Sequence, residues 1–91
     1  MACSTFEETS DEFVWKNGAD CVMVTRIESS WQVSYLTAGR LMGSMRTVYQ
    51  ATHQHPKHAA WDVLAKVTTA AHDNEEGMQT AMRAAQWMKR A

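Results

Sequence analysis

The sequence predicts an α+β domain, a four-stranded antiparallel β-meander followed by one or two C-terminal helices packed on one face. Three observations carry this expectation. Asn17-Gly18 divides two apolar runs, and Asn-Gly in that setting is the strongest short hairpin signal because both residues tolerate positive φ. Two further runs rich in β-branched and aromatic residues follow at 31–36 and 45–50. Beyond Pro56 the apolar residues change from alternation to the three-and-four spacing of a helix.

The 91 residues suffice for one small core and not two. Hydrophobic residues are 45% and charged residues 21%, ordinary for a folded domain and unlike a disordered chain. Nine Lys and Arg against ten Asp and Glu leave a net charge of -1, so the cationic excess of a typical phosphate-backbone or anionic-membrane binder is missing. No stretch approaches the roughly 18 apolar residues of a membrane span, and the chain opens with neither a basic leader nor an apolar run. A cytoplasmic protein without membrane association is therefore expected, with Cys3 and Cys21 as reduced thiols.

Residues 1–10 are polar, acidic and aperiodic, and read as a flexible leader to a single domain over 11–91. Pairing Lys16 with Ala19 across the first turn and Glu28 with Trp31 across the second puts Phe13, Trp15, Val22, Val24, Trp31, Val33 and Tyr35 on one sheet face. The opposite face carries Val14, Cys21, Met23, Ile27 and Leu36 among polar residues, and is a candidate homodimer surface. The last strand follows Gly39 and Gly43. Pro56 suits the first turn of a helix, along which Ala60, Val63, Leu64, Val67 and Ala71 form a stripe toward the sheet. Met78, Ala81, Met82, Ala85 and Met88 repeat the pattern, with Asp73 and Glu76 as a capping box ahead of them. A break near 73–77 gives two helices; the alternative is one long helix in which Gly77 costs about 1 kcal/mol relative to Ala.

Little in the chain points to catalysis or a cofactor. His53, His55 and His58 crowd the strand-to-helix junction with a spacing that suits a metal, but a structural zinc site needs four ligands and no cysteine or carboxylate is local. Cys21 has no histidine beside it in sequence to activate a thiolate. There is no phosphate loop and no nucleophile elbow. The expectation is a non-enzymatic protein with no cofactor and no catalytic residues.

Four tryptophans and seven methionines are many for this length, and both residue types are enriched at interfaces. Trp61 and Trp87 lie just off the helical stripes, so the predicted docking edge is Trp61 and Trp87 with the basic end Arg83, Lys89 and Arg90. The alternative partner is nucleic acid, through Arg26, Arg40, Arg46 and Lys57 in the middle of the chain.

Two resemblances follow from these residues. Strands followed by an Ala-rich helix beginning Lys57-His58-Ala59-Ala60 resemble the second half of a double-stranded-RNA-binding domain over residues 31–72. That resemblance implies contacts to RNA backbone, yet His58 replaces the family's second lysine, Lys66 stands alone and a hairpin replaces the N-terminal helix. In build, the strands over 12–52, the segment Ala51-Thr52-His53-Gln54-His55-Pro56 and the helix over 57–72 are similar to small phage-encoded anti-CRISPR inhibitors. This second resemblance implies a protein that occupies a surface of a ribonucleoprotein surveillance complex and stops target DNA from binding.

Overall fold

The computed structural model describes residues 4–38 and 45–90. The elements run β1 (Ser4–Glu8), β2 (Glu12–Asn17), β3 (Asp20–Ile27), β4 (Ser30–Ala38), β5 (Met45–His53), α1 (Pro56–Ala71) and α2 (Asn74–Lys89). All five strands join one antiparallel sheet in sequence order. The α+β class and the helices on one face agree with the sequence. The strand count does not, because the expected leader contains β1.

This first strand escapes a periodicity reading because Phe6 is its single apolar residue. It is held from outside itself. Phe6 packs on Phe13 with ring centroids 6.1 Å apart, and the Thr9 hydroxyl accepts from Glu12 N at 3.0 Å to close the turn into β2. Glu8, on the helix side of the sheet, accepts from Arg83 Nε at 2.9 Å and Arg90 Nη1 at 3.3 Å.

Both hairpin turns sit one position later or earlier than the sequence suggested. Asn17 pairs with Asp20 and Lys16 with Cys21, so Gly18 and Ala19 form the first turn, with Gly18 at φ 61°. Ile27 pairs with Ser30, and Glu28 at φ 54° leads the second turn. Each slip changes the pairing sum by two residues, which preserves which face every side chain occupies. Phe13, Trp15, Val22, Val24 and Val33 are accordingly fully buried beneath the helices. At β4 and β5 the register shifts at Tyr35/Leu36, pairing Tyr35 with Tyr49 but Leu36 with Thr47 and leaving Val48 as a bulge.

The helices divide at His72, which takes a left-handed φ of 55° and donates its N–H to the Thr68 carbonyl. Asp73 then caps α2 by accepting from Glu75 N and Glu76 N. Glu76 does not complete a capping box; its carboxylate accepts from the buried Trp15 Nε1 at 2.9 Å and ties α2 to the sheet. α1 packs over β3, β4 and β5, while α2 packs over β2 and beside α1. Among the described residues no helix is long and apolar enough to cross a membrane.

The rotation of α2 overturns the expected stripe. Its covered face is Gly77, Thr80, Ala81, Ala84, Trp87 and Met88, whereas Met78 and Met82 point outward. The cause is the crossing with α1. A Cβ built on Gly77 would overlap Thr68 Oγ1 and reach the Leu64 carbonyl oxygen at 2.9 Å, so only glycine permits this approach. On α1, Ala59, Val63 and Val67 face the core, and Ala60 and Leu64 turn toward α2. Replacing Gly77 with Ala therefore sets a propensity gain of about 1 kcal/mol against a backbone clash that commonly costs about 1 to 3 kcal/mol. We expect Gly77→Ala to lower the urea unfolding free energy by about 1 kcal/mol; a gain would show that the helices can separate freely.

Candidate functional site

Among the described residues, three side-chain constellations differ in their chemistry. The first centres on Asp62, an acidic residue within the apolar stretch of α1 and 9% exposed. Its Oδ2 accepts from Tyr49 Oη at 2.7 Å and lies 2.8 Å from His53 Nε2, while Oδ1 accepts from Lys66 Nζ at 2.9 Å. The Lys66 ammonium also sits 3.7 Å from the Tyr49 ring centroid. Burial pushes the Asp62 carboxyl up, but hydrogen bonds from His53, Lys66 and Tyr49 outweigh it and hold the group below the usual carboxylate range. The same hydrogen bond to Asp62, with burial and the carboxylate charge, raises Tyr49 to about 12. These groups satisfy one another and fasten α1 to β5.

The second constellation surrounds a cavity of about 470 Å³ lined by Glu8, Thr9, Ser10, Arg26, Trp87 and Arg90. Its polar groups are likewise committed. Arg26 donates to the carbonyls of Ser10 at 3.3 Å, Trp87 at 3.4 Å and Arg90 at 3.2 Å, and its guanidinium lies 4.8 Å from the Trp87 ring centroid. Trp87 Nε1 donates to Thr9 O at 2.7 Å. Arg83, besides its bond to Glu8, lies 4.3 Å from the Phe6 ring centroid.

The third is a groove of about 380 Å³ along the outer seam of α1 and α2. Ala60, Trp61 and Leu64 form one wall, and Met78, Ala81, Met82 and Ala85 the other. Trp61 is 60% exposed, Met78 55% and Met82 63%. Lys57 and Lys89 stand at one end, where α1 begins and α2 finishes. At the other end α2 begins with Asp73 and the exposed Glu75. This is the one described constellation whose apolar side chains are left without a covering layer, and it is the candidate functional site.

The predicted docking edge is thus split. Trp61 and Lys89 belong to the groove, but Trp87 is only 3% exposed and joins Phe13 in the core, with ring centroids 6.1 Å apart. Arg83 and Arg90 are engaged by Glu8 on the β1 side. The proposed nucleic-acid residues do not gather either. Arg26 is bonded as above, and Arg46 lies at the opposite end of the strands, paired with Thr37 where Arg26 pairs with Trp31. Lys57 borders the groove, and Arg40 lies outside the described residues. Of the histidines, His53 is held by Asp62, while His55 and His58 pack edge to face with centroids 5.3 Å apart. Among the described residues no group of three or more His, Cys, Asp and Glu side chains is placed to hold a metal ion. Cys21 is a buried free thiol whose pKa burial raises, the reverse of nucleophile activation.

Helical spacing alone places Met78 and Met82 on a packing stripe and does not locate the groove. The signal that locates it is the neighbouring small-residue stripe Gly77, Thr80, Ala81 and Ala84, at i, i+3, i+4 and i+7, which marks the face of α2 pressed closest to its neighbours. Comparison with protein-family models, curated proteins and solved structures finds no match.

Two outcomes test this assignment. In urea unfolding, Trp87→Ala should cost about 3 to 5 kcal/mol and Trp61→Ala about 0.5 kcal/mol or less. For Asp62, a folded pKa below the unfolded one means that its stabilisation is present above the unfolded carboxylate value and is lost as pH falls through the folded value. Tyr49 runs the other way: its contribution is full below the ordinary tyrosine value near 10 and fades as pH rises through about 12. Asp62→Asn should therefore flatten part of the acid-side fall in melting temperature. It should also bring one tyrosinate absorbance transition down from about 12 toward 10.

Proposed function

We propose that this protein is a non-enzymatic binding domain that acts by docking on a protein surface of a larger assembly through the α1/α2 groove. The observation that carries this reading is the outward placement of Trp61, Met78 and Met82 in one apolar groove while Phe13, Trp15 and Trp87 complete the core. Tryptophan gives a large rigid contact and methionine an adaptable one, the combination that protein interfaces favour. Burying each such side chain contributes roughly 1.5 to 3 kcal/mol, enough for three together to anchor a contact once association entropy is partly offset.

The resemblance in build to anti-CRISPR inhibitors makes a CRISPR surveillance complex the first assembly to assay, with interference in target-DNA binding as the mode of action. The nucleic-acid reading has no comparable support, since Arg26 is consumed by backbone carbonyls and Arg46 lies at the far end of the sheet. The test is a photocrosslinking residue placed at Trp61 or Met82, compared with the same residue at exposed Thr52 on the opposite sheet face, in bacterial lysate. Protein adducts from the groove positions and none from Thr52 are expected. Equal adducts from both faces, or none from the groove, would remove the groove as the contact surface.

A further inference from the structure

We propose that, without another partner, the groove is filled by a second copy of this chain, the two α2 helices lying antiparallel about a two-fold axis at Met82. The inference rests on reading the groove as a protein contact surface. Glu75, Met82 and Lys89 are spaced by seven residues, so they fall on nearly one line along α2, drifting only about 20° per step. All three are exposed. Met78 and Ala85 fall between them at the alternating three-and-four spacing of a helix-pairing seam, and both line the groove.

Met82 is the midpoint of this line, about 10.5 Å from either charged end. An antiparallel copy centred there sets Lys89 beside Glu75 of the second copy, and Glu75 beside its Lys89. Met82 meets Met82 at the axis, and the long Met78 falls about 1.5 Å from level with the short Ala85. A contact made by one patch on both subunits must be complementary to itself under a two-fold rotation, and this line of acid, methionine and base is. The flanking residues reinforce the polarity, with Lys57 beside Lys89 at one end and Asp73 beside Glu75 at the other. Antiparallel α2 helices also place opposite ends of their dipoles together.

The uncovered sheet face, expected from the sequence to be the dimer surface, offers less. Val14, Cys21 and Ser34 are already buried there. Among the described residues, the large apolar side chains exposed away from the helices are Ile27 and Met45, near opposite ends of the strands, and Val48 at the bulge.

Sedimentation equilibrium on the full chain tests the proposal with four variants at exposed positions, each checked for an unchanged fold by its thermal melt. Wild type should dimerise and Met82→Glu should be monomeric, because two carboxylates would meet on the axis. Glu75→Lys and Lys89→Glu should each weaken the dimer about tenfold, since each change turns two attractive contacts into repulsive ones. The double variant Glu75→Lys/Lys89→Glu should return to near wild-type affinity. A monomeric wild type, a dimer indifferent to Met82→Glu, or a double variant no tighter than the single ones would overturn the arrangement. If wild type is monomeric while the groove still crosslinks to another protein, self-association falls and the docking reading stands.

Discussion

Everything on the helical side of this molecule follows from how closely α2 can approach α1. At Gly77 the absence of a side chain lets α2 come down against Thr68 and the Leu64 carbonyl. A single helix is too narrow to cover β2 through β5, whereas two adjoining helices form a layer wide enough to bury Phe13, Trp15, Val22, Val24 and Val33. The close approach also sets the rotation of α2 about its own axis. Thr80, Ala81 and Ala84 turn inward because they are small, Trp87 and Met88 fill the space toward the sheet, and Met78 and Met82 are carried outward.

Polar groups then lock this arrangement in register. Trp15 donates to Glu76 from beneath α2, Asp62 gathers Tyr49, His53 and Lys66 between α1 and β5, and Glu8 collects Arg83 and Arg90 at the β1 edge. Each places a charged or hydrogen-bonding group where a shift of one helical turn would leave a partly buried polar atom unpaired, at a cost of about 1 to 3 kcal/mol. The histidine-rich junction is explained in the same terms. His53 serves the Asp62 network, and His55 extends the chain at φ -115° so that Pro56 can begin α1 without losing a backbone donor.

What remains is an allocation of large apolar side chains that the core does not use. A chain of this size buries a modest core, and placing Trp61, Met78 and Met82 in water forgoes stabilisation that inward placement would supply. The groove they line is apolar along its length and oppositely charged at its two ends, so an occupant is held by burial and oriented by charge.

The α+β class and the faces of the central strands were legible in the sequence because they rest on local periodicity and turn chemistry, whereas the break between α1 and α2 was one of two readings the sequence left open. A side-chain period of two makes face assignment immune to the two-residue change in pairing seen at Gly18 and Glu28. Asp73 likewise announced the start of α2 through its own capping bonds. Strand β1 was not legible, since an edge strand with one apolar residue depends on Phe13, Thr9, Arg83 of α2 and Arg90 just beyond it for its place. Nor was the exchange of Trp87 for Met78 and Met82 between inside and outside. Helical spacing groups residues into stripes, but which stripe faces the sheet depends on a contact between Gly77 and Thr68 that exists only once both helices are packed.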